Sequence, residues 1–295
     1  MKYATAQAFR RALEERLRAR SRRGGPSLIR LRKSVVFDRL LARLLAVAPD
    51  HWVLKGALAL DYRFGDRTRT TKDIDLGRED DEQAATTDFI KAQSTDLDDH
   101  FVFVVEKTGR LDDLDDATAV RYHVACELAA RPFDDINVDI AFGNPQIFAP
   151  EVVRGPELLD FADIQPVEVP AIPLPQHVAE KVHAYTRTYG REGRPSTRVK
   201  DLVDLVLIAT EVSLDAVQLR RALEETFEFR ATHALPDRFS RAPREWVAAY
   251  ARMARELGLA ESVDDGHRIA AAMLDPVLGK RAVNGKWDPQ GVRWR

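Results

Sequence analysis

Apolar and polar residues alternate strictly through Asp73-Ile74-Asp75-Leu76 and again through Asn137-Val138-Asp139-Ile140. Side chains of a strand point to opposite faces in turn, so each stretch predicts a strand with one buried face and one polar face. Residues 119–128 alternate too, with Val120, Tyr122, Val124 and Cys126 on one side, and Phe101-Val102-Phe103-Val104-Val105 is an apolar run of strand length. Trp52-Val53-Leu54 is a short apolar lead-in to Lys55-Gly56-Ala57, after which residues 58–62 start a helix. Helical spacing of Phe9, Leu13 and Leu17 predicts a first helix over 4–20, ended by Gly24-Gly25-Pro26. Ser27 opens a second, with Leu31, Val35, Leu40, Leu41, Leu44 and Leu45 as its apolar positions, and residues 82–92 form a third between two strands.

Beyond about residue 145 the texture changes. Residues 166–175 hold four prolines and predict an extended connector. Helical patterns follow at 176–186, 199–210, 214–227, 243–257 and 266–274, and residues 280–295 read as an irregular tail. The fold class predicted is α+β: a mixed sheet with an antiparallel meander on one side, then a helical C-terminal part. A boundary falls within 150–175, which divides the chain into 1–165, carrying the basic N-terminal helices, and a mainly helical 166–295.

Composition narrows the classes. With 295 residues, 45% hydrophobic and 31% charged, the chain is long enough for two modest domains of a soluble globular protein. A single cysteine, Cys126, excludes an internal disulfide. The N-terminus lacks an apolar signal segment and no stretch is long enough to span a bilayer, so the expected location is cytoplasmic, with no membrane partner. Net charge is −2, yet Met1 to Lys33 holds eleven Lys/Arg against Glu14 and Glu15, whereas acid dominates from Glu79 to Asp116. Such a basic face suits a polyanion, nucleic acid first, or is a solvated helix face.

Asp73 and Asp75 point the same way from one strand, and two parallel carboxylates beside a core are costly unless a cation lies between them. Asp139 lies in the second alternating strand. If the two strands are neighbours, three carboxylates meet on one edge, an arrangement that suits divalent ions and phosphoryl or nucleotidyl transfer; otherwise Asp139 is a strand residue paired with an arginine. Gly56 lets backbone N–H groups approach phosphate oxygens. Lys55, Arg69 and Lys72 add charge nearby or are solvated. His177, His183 and Cys126 lack metal-ligand spacing and read as structural.

The run Lys55-Gly56-Ala57-Leu58-Ala59-Leu60, followed by Arg69-Thr70-Thr71-Lys72-Asp73-Ile74-Asp75-Leu76, resembles the opening of the AbiEii/AbiGii-type nucleotidyltransferase toxins of the DNA polymerase β-like superfamily. Glu180-Lys181-Val182-His183-Ala184 resembles that family's E-K-L-H-A helix, and Arg198-Val199-Lys200-Asp201-Leu202-Val203-Asp204-Leu205 its R-x-K-D-x-x-D-L segment. Within the family the chain is most similar to the MenT group. The resemblance implies a polymerase β-like core and a toxin of a toxin–antitoxin system. It implies Mg²⁺, with Mn²⁺ as a substitute, and an NTP as substrate. The NMP would pass to the 3′ end of tRNA, blocking aminoacylation and translation. Asp73 and Asp75 would hold metal together with Asp139. Lys55, Gly56, Ala57, Thr71, Lys72 and Lys181 would line the nucleotide, and Asp201 or Asp204 would complete the site. Asp139 is the candidate for activating the acceptor hydroxyl.

Where relatives carry Gly-Ser, this chain has Gly56-Ala57, so a phosphate-binding hydroxyl is missing there. Thr71 offers a hydroxyl nearby, at a location that the resemblance connects with antitoxin-driven phosphorylation. The loop 190–195, with Arg191 and Arg194 near Arg187 and Arg198, is a candidate RNA contact or a polar loop. Two rival readings are an enzyme that attaches nucleotides to protein and a non-enzymatic nucleic-acid-binding module.

Overall fold

The computed structural model describes residues 1–110, 119–143, 145–188, 198–281 and 284–295. The loop arginines Arg191 and Arg194 and the acidic residues Asp112, Asp113, Asp115 and Asp116 lie outside the described residues. The chain divides into two compact units, one of Met1–Pro145 with Pro150–Ile172, the other of Gln146–Ala149 with Pro173–Arg295.

The first unit opens with helices α1 (Ala6–Arg22) and α2 (Leu28–Val47), started by the side chains of Thr5 and Ser27, which accept from Ala8 N–H and Arg30 N–H. Strand β1 (Val53–Lys55) runs into helix α3 (Gly56–Phe64), and β2 (Asp73–Arg78) follows. Helix α4 (Glu82–Gln93) leads to the meander β3 (Phe101–Arg110), β4 (Ala119–Leu128) and β5 (Arg131–Phe142). Strands β6 (Glu151–Arg154) and β7 (Glu168–Ala171) complete a seven-stranded sheet of order β3-β4-β5-β2-β1-β7-β6. β2 pairs parallel with β5 and antiparallel with β1, so the sheet is mixed as expected.

The core lies on one face of this sheet. Ile74, Leu76, Val138 and Ile140 are at most 1% exposed, and α2 and α4 bring Leu40, Leu44, Phe89 and Ala92 into the same cluster. Burying each of those branched side chains stabilises by about 1.5–3 kcal/mol, enough to hold the central strands in register despite carboxylates on their other face. Asp99, part of the acidic run, is fully buried and accepts from Arg43 at 2.9 and 2.5 Å. It ties α2 to the start of β3.

The second unit is mainly helical: α5 (Leu174–Thr186), α6 (Val199–Glu211), α7 (Ala216–Arg230), α8 (Val247–Leu257) and α9 (Val263–Leu278). Two expectations fail. The proline connector contains β7, with Pro170 inside it; the strand survives because β1 meets it at a single register pair, Leu54 with Ala171, and demands few N–H donors. The tail is not wholly irregular: β8 (Trp287–Asp288) and β9 (Arg293–Trp294) form a hairpin, and the Trp287 indole, 1% exposed, donates to Ala209 O at 2.7 Å. Among the described residues no helix is long and apolar enough to cross a membrane.

Candidate active site

Register builds the site. Lys55 pairs with Asp75, Asp75 with Asp139, and Asp139 with Arg121, so these residues form one row across β1, β2, β5 and β4. Asp73 pairs with Asn137 one step along, on the same face. The three carboxylates therefore share a face, as the alternation predicted, but they lie across central strands and not at an edge of the sheet.

Each has its own neighbours. Asn137 Nδ2 donates to Asp73 Oδ1 at 3.2 Å, and the Thr71 hydroxyl donates to the Asp73 backbone oxygen at 3.1 Å. Arg121 Nε and Nη2 donate to Asp139 Oδ1 and Oδ2, both at 2.7 Å. This bidentate pair lifts the Arg121 guanidinium above its already high ordinary pKa, against a smaller desolvation effect, with Asp73 and Asp75 adding attraction. The pairing of Asp139 with an arginine was one of two readings open from sequence. The arginine was not identifiable there, because only the register shows that β4 delivers Arg121 opposite Asp139.

Asp75 is seated against the start of α3. Gly56 has φ +60°, and a Cβ built on it would lie 1.8 Å from Asp75 Oδ2. Gly56 is required twice over, for its left-handed backbone and for the absence of a side chain. Gly56→Ala should cost about 1–3 kcal/mol from backbone strain alone, and urea denaturation checks this; an unchanged midpoint would show that neither the left-handed backbone nor the contact with Asp75 constrains this position.

The other predicted nucleotide-binding residues spread out. Lys55 is 8% exposed, and its stem passes over Gly77, so it is a lysine laid along the sheet and not a surface one. Ala57 is buried in the first turn of α3, whereas Lys72 is exposed. Among the described residues no group of three or more His, Cys, Asp or Glu side chains converges to hold a metal ion unaided. Asp73 and Asp75 still fit a hard cation, since Mg²⁺ is ordinarily held by one or two carboxylates with phosphate oxygens and water completing its octahedron.

In the second unit, Lys181 on α5 meets two carboxylates of α6: Nζ lies 2.6 Å from Asp204 Oδ2 and 3.2 Å from Asp201 Oδ1. Asp204 is the more deeply buried partner. Asp201 sits in the first helical turn, where its charge favours the helix N-terminus, and its Oδ2 lies 3.8 Å from Arg198 Nε. His183 bonds to Thr232 at 2.8 Å and Cys126 is buried, in keeping with structural roles.

The basic N-terminal run is partly structural. Arg10 donates to the carbonyls of Leu128, Arg131 and Pro132, Arg32 pairs with Glu14, and Lys33 with Asp134. Arg11, Arg16, Arg18, Arg20, Arg22 and Arg23 remain exposed.

A family model described as "Nucleotidyl transferase AbiEii toxin, Type IV TA system" matches residues 39–273. Among solved structures, MenT4, a nucleotidyltransferase toxin from Mycobacterium tuberculosis H37Rv, is 18% identical with a TM-score of 0.49, over 84% of this chain and 91% of that one. JHP933 from Helicobacter pylori is 14% identical with a TM-score of 0.47, over 84% of this chain and 92% of that one. Likenesses this distant carry no residue roles across. No curated protein sequence matches the chain.

Proposed function

The chain belongs to the AbiEii family of nucleotidyltransferase toxins of type IV toxin–antitoxin systems, and from that premise we propose that it transfers an NMP from an NTP to the 3′ end of tRNA, under the control of a cognate antitoxin. The observation that supports a reaction at this face is the register of β2 on β5, which sets Asp73, Asp75 and Asp139 side by side next to a glycine-opened helix start.

The acceptor hydroxyl oxygen attacks the α-phosphorus and gives up its proton to solvent, the bond between that phosphorus and the bridging oxygen breaks, and pyrophosphate leaves with the bond electrons. Asp73 and Asp75 would hold a divalent cation, Mg²⁺ or Mn²⁺, which neutralises the triphosphate and the charge that builds on the attacked phosphate. Gly56 lets the Asp75 carboxylate sit against the first turn of α3, where the helix dipole favours negative charge. Asp139, its charge compensated by Arg121, accepts a hydrogen bond from the acceptor hydroxyl and orients it.

Incubation with each labelled NTP and total tRNA tests this. Label on tRNA 3′ ends is expected. Label on protein instead would move the acceptor to a side-chain hydroxyl, and RNA binding without label would leave a nucleic-acid-binding module.

A further inference from the structure

We propose that the exposed arginines along one side of α1 form a docking groove for the phosphate backbone of RNA, away from the face that carries the carboxylates. This rests on the reading above only for the identity of the RNA as tRNA. The groove runs between α1 and the turn that joins β4 to β5. Arg10, Arg11, Arg18, Arg22 and Arg131 line it, against Glu14 and Glu15. At 3.6 residues per turn and 1.5 Å per residue, Arg11, Arg18 and Arg22 fall within about 40° of one another around the helix, spaced by roughly 10 and 6 Å along it. Glu14 is taken up by Arg32 at 2.6 Å, with Arg18 at 3.5 Å. Arg11, Arg22 and Arg131 are exposed and meet no carboxylate among the described residues. Arg10 donates to the carbonyls of Leu128, Arg131 and Pro132, which fixes the helix, and with it the row, against the turn. A fixed row of guanidinium forks suits a chain of phosphates.

The apolar face of α1 is already covered. Phe9, Leu13 and Leu17 are at most 2% exposed, so no apolar stripe is left to enter a lipid surface. Phe9 packs on Phe101 with ring centroids 5.8 Å apart, which puts α1 on the core side of the sheet. An NTP held at Asp73 and Asp75, on the other face, does not reach round to it. An RNA is long enough to lay its backbone there while its 3′ end reacts. The arginines on the other side of α1 are more engaged: Arg16 lies over the Phe161 ring at 4.2 Å, and Arg20 is 3.6 Å from Asp66. The family match begins at residue 39, so α1 is an element additional to the matched part.

Fluorescence anisotropy of labelled total tRNA, titrated with the full chain over a series of KCl concentrations and without NTP, tests the proposal. Replacing Arg11, Arg18 and Arg22 together by Gln should weaken binding and flatten the slope of log Kd against log salt by about 2–3. Glu15→Gln, which removes an acid between Arg11 and Arg18, should tighten binding. Arg20→Gln with Arg23→Gln, on the other side of the helix, should bind as wild type does. All six positions are exposed and glutamine is a good helix former, so the fold is kept, which far-ultraviolet circular dichroism checks. An unchanged slope in the triple variant, an equal loss in the Arg20/Arg23 variant, or a wild type that binds phosphatidylserine vesicles but no tRNA would overturn the proposal. Loss of tRNA binding in the triple variant, when the wild type transfers no NMP to tRNA, would sink the transfer reading and leave the groove standing as an RNA surface.

Discussion

Asp73→Asn should lower nucleotide transfer by about 100- to 1,000-fold, the range seen when one preorganised electrostatic group at a reacting centre is lost, with the melting temperature almost unchanged. The substitution conserves shape, and the surrounding structure makes few demands on the lost charge. Asp73 Oδ1 accepts from Asn137 Nδ2, and an asparagine oxygen can accept the same bond. The Thr71 hydroxyl bonds to the Asp73 main chain, which the substitution leaves alone. Strand β2 is held from its other side by Ile74 and Leu76. What disappears is one of two hard, charged oxygen donors proposed for the cation. Steady-state transfer rates and a thermal melt, measured on one preparation, check both halves. Full activity with normal melting would remove Asp73 from the reaction altogether.

Lys181→Met should destabilise the protein by about 3–5 kcal/mol, the usual penalty for removing one partner of a buried ion pair. The side chains of Lys181 and Asp204 are 7% and 3% exposed and lie 2.6 Å apart, with Asp201 at 3.2 Å. Methionine fills most of the same space, so the loss comes from carboxylates left in an apolar helix pair without their ammonium. The double variant Lys181→Met with Asp204→Leu should regain most of the loss, because a buried pair replaced by apolar residues of similar volume is often neutral or better. Urea denaturation of the two single variants and the double variant forms the cycle. If Lys181→Met alone were as stable as wild type, the ammonium would not be joining α5 to α6. Transfer by Lys181 variants is informative only at temperatures well below their melting transitions.

The strands that carry chemistry were legible because their faces differ so sharply. Asp73 and Asp75 against Ile74 and Leu76, and Asp139 against Val138 and Ile140, expose a period of two whose polar positions are carboxylates. Their adjacency was not legible, since parallel pairing between β2 and β5 joins segments far apart in sequence. The same limit hid Arg121: alternation in β4 says that it faces away from Val120 and Tyr122, but not what stands opposite. The polar start of β5 was missed as well, because Pro132, Asp134 and Asp135 disfavour strand on local grounds and are overruled by pairing with β4. Lys55 read as a surface or phosphate-binding lysine because its burial comes from the chain that surrounds it. The hairpin of β8 and β9 escaped notice for a related reason: Trp287 is anchored by a carbonyl on α6, a partner that the local sequence does not reveal.

The pairing of Leu54 with Ala171 has a consequence for the timing of synthesis. One flank of β1 is covered by β2, which follows soon after it, and the other by β7, which leaves the ribosome only when more than half of the polypeptide has been made. A nascent or stalled product that ends before Ala171 lacks the last cover for the strand that delivers Lys55 and Gly56. Such fragments should be inert, which would spare the cell that produces them the activity of incomplete copies.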